Sequence, residues 1–358
     1  MHTGRGGANH PAADRTEITM TMTNEPRQAD GTTPPRDLAF RPLDLERDLP
    51  AMVDLENRGN AAVGIEDRVT LEDQRNWLSP TPHFDPDHDV VIVTAGGTMV
   101  AWGEVMWVDT RDGLREYRLG GSVDPAWERH GVGARLLDWL EARARELAAS
   151  QPTERPRRYG TWIPEVRLGK RMLFEGRGYA PVRYFFEMIR PGLDEIDVPP
   201  LPDGIEIREA DEAQHRRIWE ADIEAFRDHW GGIDESEERY QRDLADPNLD
   251  RSLWVVAWDG DEVAGGSINA IYPAENAELD VPRGWLDSVF VRRPWRRRGL
   301  GAALVARSLV KLRERGMGAA MLGVDADNPT GALGLYQRAG FEVHRRSTAY
   351  RKPMEIES

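Results

Sequence analysis

The chain has 358 residues, 40% of them hydrophobic and 30% charged, which is the composition of a globular protein too long for one comfortable core, so two domains are expected. A net charge of −15 disfavours a general nucleic-acid partner, and the absence of cysteine excludes disulfides, thiolate metal sites and a cysteine nucleophile. No apolar run reaches membrane-spanning length and no signal-peptide core is present, which predicts a cytoplasmic protein with no membrane partner.

Residues 1–36 are rich in Gly, Thr, Pro and Asn without periodicity, and read as a disordered tail. From Leu38 the chain says nearly the same thing twice. Leu38-Ala-Phe-Arg matches Ile205-Glu-Ile-Arg, each a short strand leading into a helical stretch. The hairpin signal from Val91 to Val105 is matched by that from Val255 to Ile268. Next, Val123-Asp-Pro-Ala-Trp-Glu-Arg-His-Gly-Val-Gly parallels Val291-Arg-Arg-Pro-Trp-Arg-Arg-Arg-Gly-Leu-Gly, 168 residues on. Helices follow both, and Phe174 to Tyr179 is matched by Tyr336 to Phe341. A repeat of this length is a duplicated domain. The expected organisation is therefore one domain over 38–192, a proline-rich linker over 193–204, and a second domain over 205–354. Each is expected to be an α/β layer with a mixed, mostly antiparallel sheet flanked by helices.

The stretch from Val289 to Gly301 carries the clearest chemistry. Three β-favouring residues lead into Pro294, after which Val305, Leu309 and Leu312 fall at helical spacing. Arg296, Arg297 and Arg298, then Gly299 and Gly301, sit at the junction. Unpaired N–H groups at a helix start favour an anion, and glycine allows a phosphate to approach the backbone. A solvated arginine face would share the composition, but the strand before and the helix after favour a phosphate or pyrophosphate site.

With Arg296-x-x-Gly299-x-Gly301 and the ending Asn328…Tyr336…Gly340-Phe341, the second half resembles the GNAT superfamily of acyl-CoA-dependent N-acyltransferases, and the first half resembles a diverged copy. The tandem layout is similar to that of mycothiol synthase and related double-domain acetyltransferases. The resemblance implies acetyl-CoA as acyl-donor cosubstrate, no metal, and a small-molecule primary amine as acceptor. It implies that the pyrophosphate lies on the main chain of Arg297, Arg298, Gly299, Leu300, Gly301 and Ala302. By the same token the pantetheine arm pairs with Val289, Phe290 and Val291, Asn328 binds the cofactor, and Tyr336 protonates the departing thiolate.

Neutralising an amine of pKa near 10.4 at pH 7 costs about 4–5 kcal/mol, so a carboxylate base is expected. Asp287, on the strand face of Val289, is the first candidate, with Glu278, Asp280 and His229 as rivals; a strand-end aspartate in an ordinary hydrogen bond fits the sequence equally. His229 and Trp230 fall where the family places its substrate lip, although a helix end packing its tryptophan fits too. With no cysteine, direct attack is expected rather than a cysteine acyl-enzyme. In the first copy Glu128 and Phe174 replace Arg296 and Tyr336, so that half is expected to do no chemistry, and to shape the acceptor pocket, bind acyl-CoA inertly or serve as a built-in partner in a monomer. A non-catalytic acyl-CoA sensor is the alternative of a different class.

Overall fold

The structure, a computed structural model, describes residues 37–232, 234–327 and 331–355, apart from the side chain of Asp228. The expected tail and Asn328 lie outside the described residues. The first half runs β1 (Leu38–Pro42), α1 (Leu45–Ala62), α2 (Leu71–Trp77), α3 (Pro86–Asp89), β2 (Val90–Ala95), β3 (Thr98–Asp109), β4 (Arg115–Val123), α4 (Val132–Ser150), β5 (Arg157–Pro164), α5 (Leu168–Gly176) and β6 (Ala180–Pro191). The second repeats the order except that its third helix follows the hairpin instead of preceding it: β7 (Ile205–Arg208), α6 (His215–Ala225), α7 (Glu237–Leu244), β8 (Val255–Asp259), β9 (Glu262–Ala270), α8 (Pro273–Asn276), β10 (Arg283–Val291), α9 (Leu300–Glu314), β11 (Ala319–Asp325), α10 (Ala332–Arg338) and β12 (Glu342–Pro353). Both halves are thus α/β, as expected, with a mixed sheet flanked by helices.

The sequence does not disclose how the halves join. All twelve strands form one sheet in the order β1-β2-β3-β4-β5-β12-β6-β11-β10-β9-β8-β7. The last strand of each half has changed sides. β12 pairs antiparallel with β5 (Ile163↔Thr348), β6 pairs antiparallel with β11 (Ile189↔Met321), and β6 and β12 pair with each other at the centre (Phe185↔Ser347).

Charge pairs fix this exchange. Arg183 on β6 makes a bidentate contact of 2.8 and 2.9 Å with Asp325 on β11, Arg351 on β12 reaches Glu116 and Asp112 of the first half, and Lys352 reaches Glu141 at 2.8 Å. The cores are exchanged as well. Met188 is buried with Val305, Leu309, Leu312 and Phe341 of the second half, whereas Tyr350 and Met354 are buried with Val105, Leu136 and Leu140 of the first. Burying one such side chain contributes about 1.5–3 kcal/mol.

Candidate active site

In each half one parallel strand pair parts company midway. β10 and β11 pair from Arg283↔Ala319 to Leu286↔Leu322. Beyond that point β11 follows β6 as far as Asp325, while β10 stays with β9 to Val291↔Gly265. A wedge opens between them, and along it β10 has no strand partner on the β11 side among the described residues. The wedge is the floor of a cleft of about 1070 Å³ lined by Asp287, Val289, Phe290 and Val291, by Arg297 to Ala302 except Arg298, and by Tyr336.

The side chains of the arginine-rich turn have different partners. Arg296 donates to the main-chain carbonyls of Val291 at 2.9 Å and Ala225 at 3.0 Å, so it staples the loop to the end of α6, and Arg298 donates to Asp203 O at 3.0 Å on the linker. Arg292 is held by Glu224 and Glu262. Arg293, Arg296 and Arg297 line the cleft, and Arg297 has no ion-pair partner among the described residues. Its φ of 59° is left-handed, a conformation that costs a non-glycine residue on the order of 1–3 kcal/mol. Gly299 caps α9 at φ 86° with no side-chain hydrogen bond, and the first intrahelical N–H in the cleft-facing turn is that of Ala303. The N–H groups of Leu300, Gly301 and Ala302 are therefore unspent within the helix, and with the dipole they favour a bound anion. A Cβ on Gly301 would stand 3.4 Å from Leu335 of α10, in ordinary van der Waals contact.

Tyr336 reaches the cleft from α10. It is 6% exposed, its ring meets Phe341 edge-on at 6.0 Å, and burial pushes its pKa up to about 12, so the hydroxyl stays protonated. No described residue takes its proton in a hydrogen bond. Opposite, Asp287 occupies the point where the β10–β9 register slips between Leu286 and Ser288. The bulge places Asp287 in the wall of the cleft, where it is exposed to solvent. Desolvation raises its pKa to about 7; a hydrogen bond from Tyr272 opposes the rise, and the charges of Asp246 and Glu275 add to it. Neither Glu278, which pairs with Arg68, nor Asp280 lines the cleft.

His229 and Trp230 both line the other end. The His229 ring lies 4.2 Å from that of Phe226, and Trp230 is fixed by Trp162 (6.2 Å), Phe185 (6.0 Å) and the Arg351 guanidinium 4.3 Å above its ring. Arg111 N donates to Gly231 O at 2.9 Å and Arg118 to Gly232 O at 3.0 Å, so the first half holds this lip in place. Sequence reasoning missed the first-half residues that line the cleft, Arg111, Phe185, Phe186 and Glu187. Three of them arrive on the exchanged β6, and no local pattern signals a strand's change of partner.

The first half keeps the loop backbone and alters the chemistry. Arg129 (φ 64°) and Gly131 (φ 78°) repeat the left-handed turn of Arg297 and Gly299. A smaller cavity of about 480 Å³ lies there, with Glu128 and Phe174 in its wall. Lys170, its pKa lowered to about 8 by burial, reaches across and donates to Gly121 O at 3.1 Å. A main-chain acceptor on β4, beside the wedge, is thereby already taken.

The acetyltransferase (GNAT) family model matches residues 215–341, the half that holds the open cleft. The mycothiol acetyltransferase of Catenulispora acidiphila is 30% identical over 229 residues, covering 64% of this chain and 70% of that protein. The chain belongs to the GNAT acetyltransferase family. A mycothiol acetyltransferase of Geodermatophilus obscurus is 27% identical over 268 residues, 74% of this chain and 82% of its own. Among solved structures, a GCN5-related N-acetyltransferase from Sphaerobacter thermophilus is 28% identical, with a TM-score of 0.66 over 91% of this chain and 99% of that one. A tandem GNAT protein from the clavulanic acid biosynthesis pathway shares the fold at 18% identity and a TM-score of 0.64, covering 90% of this chain and all of its own. This GNAT chain is accordingly an N-acetyltransferase. No helix among its described residues is long and apolar enough to cross a membrane, and no group of three or more His, Asp or Glu side chains there is arranged to hold a metal.

Proposed function

We propose that this GNAT acetyltransferase transfers the acetyl group of acetyl-CoA to a primary amine of a small molecule, by direct attack in the half spanning 205–354. The observation that carries the reading is one continuous cleft. It joins an uncapped helix start, an unpartnered strand edge, a protonated tyrosine and a carboxylate near pKa 7. The pyrophosphate sits on the N–H groups of Leu300, Gly301 and Ala302 beside Arg297, and the pantetheine amides pair with β10 at Val289 to Val291 as an added strand would. Asp287 takes a proton from the ammonium of the acceptor, the freed nitrogen attacks the thioester carbonyl carbon, and the tetrahedral intermediate releases a second nitrogen proton to solvent as it expels the thiolate. Tyr336 supplies the proton that the sulfur gains. His229 and Trp230 form the acceptor wall with the first-half residues, and the half spanning 38–192 does no chemistry. In the family Asn328 is a cofactor contact, and that role is proposed for it here.

Two experiments test the assignment. In calorimetric titration of the full chain, Arg297→Ala is expected to weaken acetyl-CoA binding about tenfold, the worth of one charge-assisted hydrogen bond, while Arg129→Ala leaves it unchanged. The opposite pattern would move the donor site to the first half. Because Asp287 must be ionised to accept a proton and its pKa is raised to about 7, kcat/KM is expected to climb from pH 6 to pH 8. That limb disappears in Asp287→Asn, measured as thiol release from acetyl-CoA; a variant that keeps both rate and limb removes Asp287 from the mechanism.

A narrower reading makes the acceptor that of mycothiol acetyltransferase, and it is favoured by relatives of that name that match most of this chain. A comparison of thiol release with that acceptor and with simple amines such as glucosamine separates the two.

A further inference from the structure

We propose that Tyr272 is a positioning residue for the reaction, aiming the Asp287 carboxylate into the cleft by donating a hydrogen bond to one of its oxygens and leaving the other free for the acceptor's proton. The inference rests on Asp287 being the base. Tyr272 Oη lies 2.9 Å from Asp287 Oδ2, and it is the only described side chain that hydrogen-bonds that carboxylate. A carboxylate held through one oxygen loses the rotational freedom that would otherwise spread its second oxygen over solvent.

The tyrosine is itself braced. It caps the short helix α8 and its ring meets Trp285 edge-on at 6.2 Å, with the planes at 82°. The Trp285 indole donates to Glu275 Oε1 at 3.2 Å on α8. Asn276 and Arg283 exchange two hydrogen bonds of 2.9 Å, and Arg283 pairs with Glu275 and with Glu66 of the first half. Tyr272 is thus tied into the same strand whose bulge presents Asp287. Nothing in this bracing touches the phosphate loop, which is why donor binding should not feel the loss of the hydroxyl.

The charges around the pair act in one direction. Burial raises the Tyr272 pKa far above its usual value, and Asp287, Asp246 and Asp73 all add to the rise, so its hydroxyl remains a donor throughout the working range. For Asp287, burial and the charges of Asp246 and Glu275 favour the protonated acid, and the Tyr272 hydrogen bond is the largest contribution favouring the carboxylate. Asp73 comes from α2 of the first half, where its own oxygens accept from Thr70 and Asn248. Removing the hydroxyl therefore lets the acid form of Asp287 persist to higher pH.

The test uses the full chain and needs no identified acceptor. Infrared difference spectra between pH 5 and pH 9 contain a carboxyl band that vanishes in Asp287→Asn; its titration midpoint is compared in wild type and Tyr272→Phe. The expected result is an upward shift of about half a unit or more, the loss of one hydrogen bond to the charged form. With glucosamine as the probe amine, the acid limb of kcat/KM for thiol release should move up by the same amount, and kcat should fall about tenfold, with KM for acetyl-CoA unchanged. An unmoved midpoint overturns the role of Tyr272 even if Asp287→Asn is inactive. If Asp287→Asn keeps wild-type rates while the infrared midpoint does shift in Tyr272→Phe, the hydrogen bond stands and the base assignment is what fails.

Discussion

Tyr336→Phe is expected to lower kcat on the order of a hundredfold or more while leaving acetyl-CoA affinity close to wild type. General acids contribute roughly 10²–10⁴-fold, and a phenol is a competent donor to a thiolate whose conjugate acid has a pKa of about 8.5. The substitution removes one hydroxyl and keeps the ring against Phe341, so the buried wall of the cleft survives. Steady-state thiol release and calorimetric titration on the same preparations make the comparison. A variant retaining more than about a third of wild-type kcat would mean that water or another residue protonates the sulfur. The prediction is sharpened by the first half, in which Phe174 already stands at the matching position, packed edge-on against Tyr179 at 4.8 Å.

The second large effect concerns the division of the chain. Residues 205–355 expressed alone are expected not to fold, even though they contain every residue proposed to touch acetyl-CoA. Without β6, nothing fills the sheet between β11 and β12. The core of that half loses Met188 and Leu193, each worth about 1.5–3 kcal/mol, along with the Arg183–Asp325 and Glu187–Arg345 contacts. Against a total stability of about 5–15 kcal/mol, that loss is decisive. Circular dichroism and limited proteolysis of the fragment should report an unfolded chain, and co-expression with 37–204 should restore both fold and cleft. A cooperatively folded 205–355 fragment would show that the exchange is dispensable.

Much of the site was legible because its signals are local. The glycines at 299 and 301, the strand before them and the helix after them follow from residue types and spacing, and the structure places them together in one cleft with Tyr336, Asp287, His229 and Trp230. What the arginines do was less legible. Arg296 and Arg298 belong to the same basic run as Arg297, yet their guanidinium groups are spent on the carbonyls of Val291, Ala225 and Asp203, and composition does not say which way a side chain turns. Tyr272 went unnoticed because its partner lies fifteen residues on, across a turn and a strand bulge. The exchange of β6 and β12 was illegible for a deeper reason. Two copies of one pattern offer each last strand two nearly equivalent partners, and the choice between them is made by scattered charge pairs such as Arg351 with Glu116.

The crossed strands also set an order of events at the ribosome. β5 leaves the exit tunnel with its far edge unclaimed, and the strand that covers it begins at Glu342, about 180 residues later. At 5–20 residues per second, that edge waits on the order of ten to forty seconds, presenting unpaired N–H and C=O groups to any other nascent chain. The amino-terminal half therefore cannot mature first and wait for its sibling. Both halves must reach their final form together, when β12 arrives.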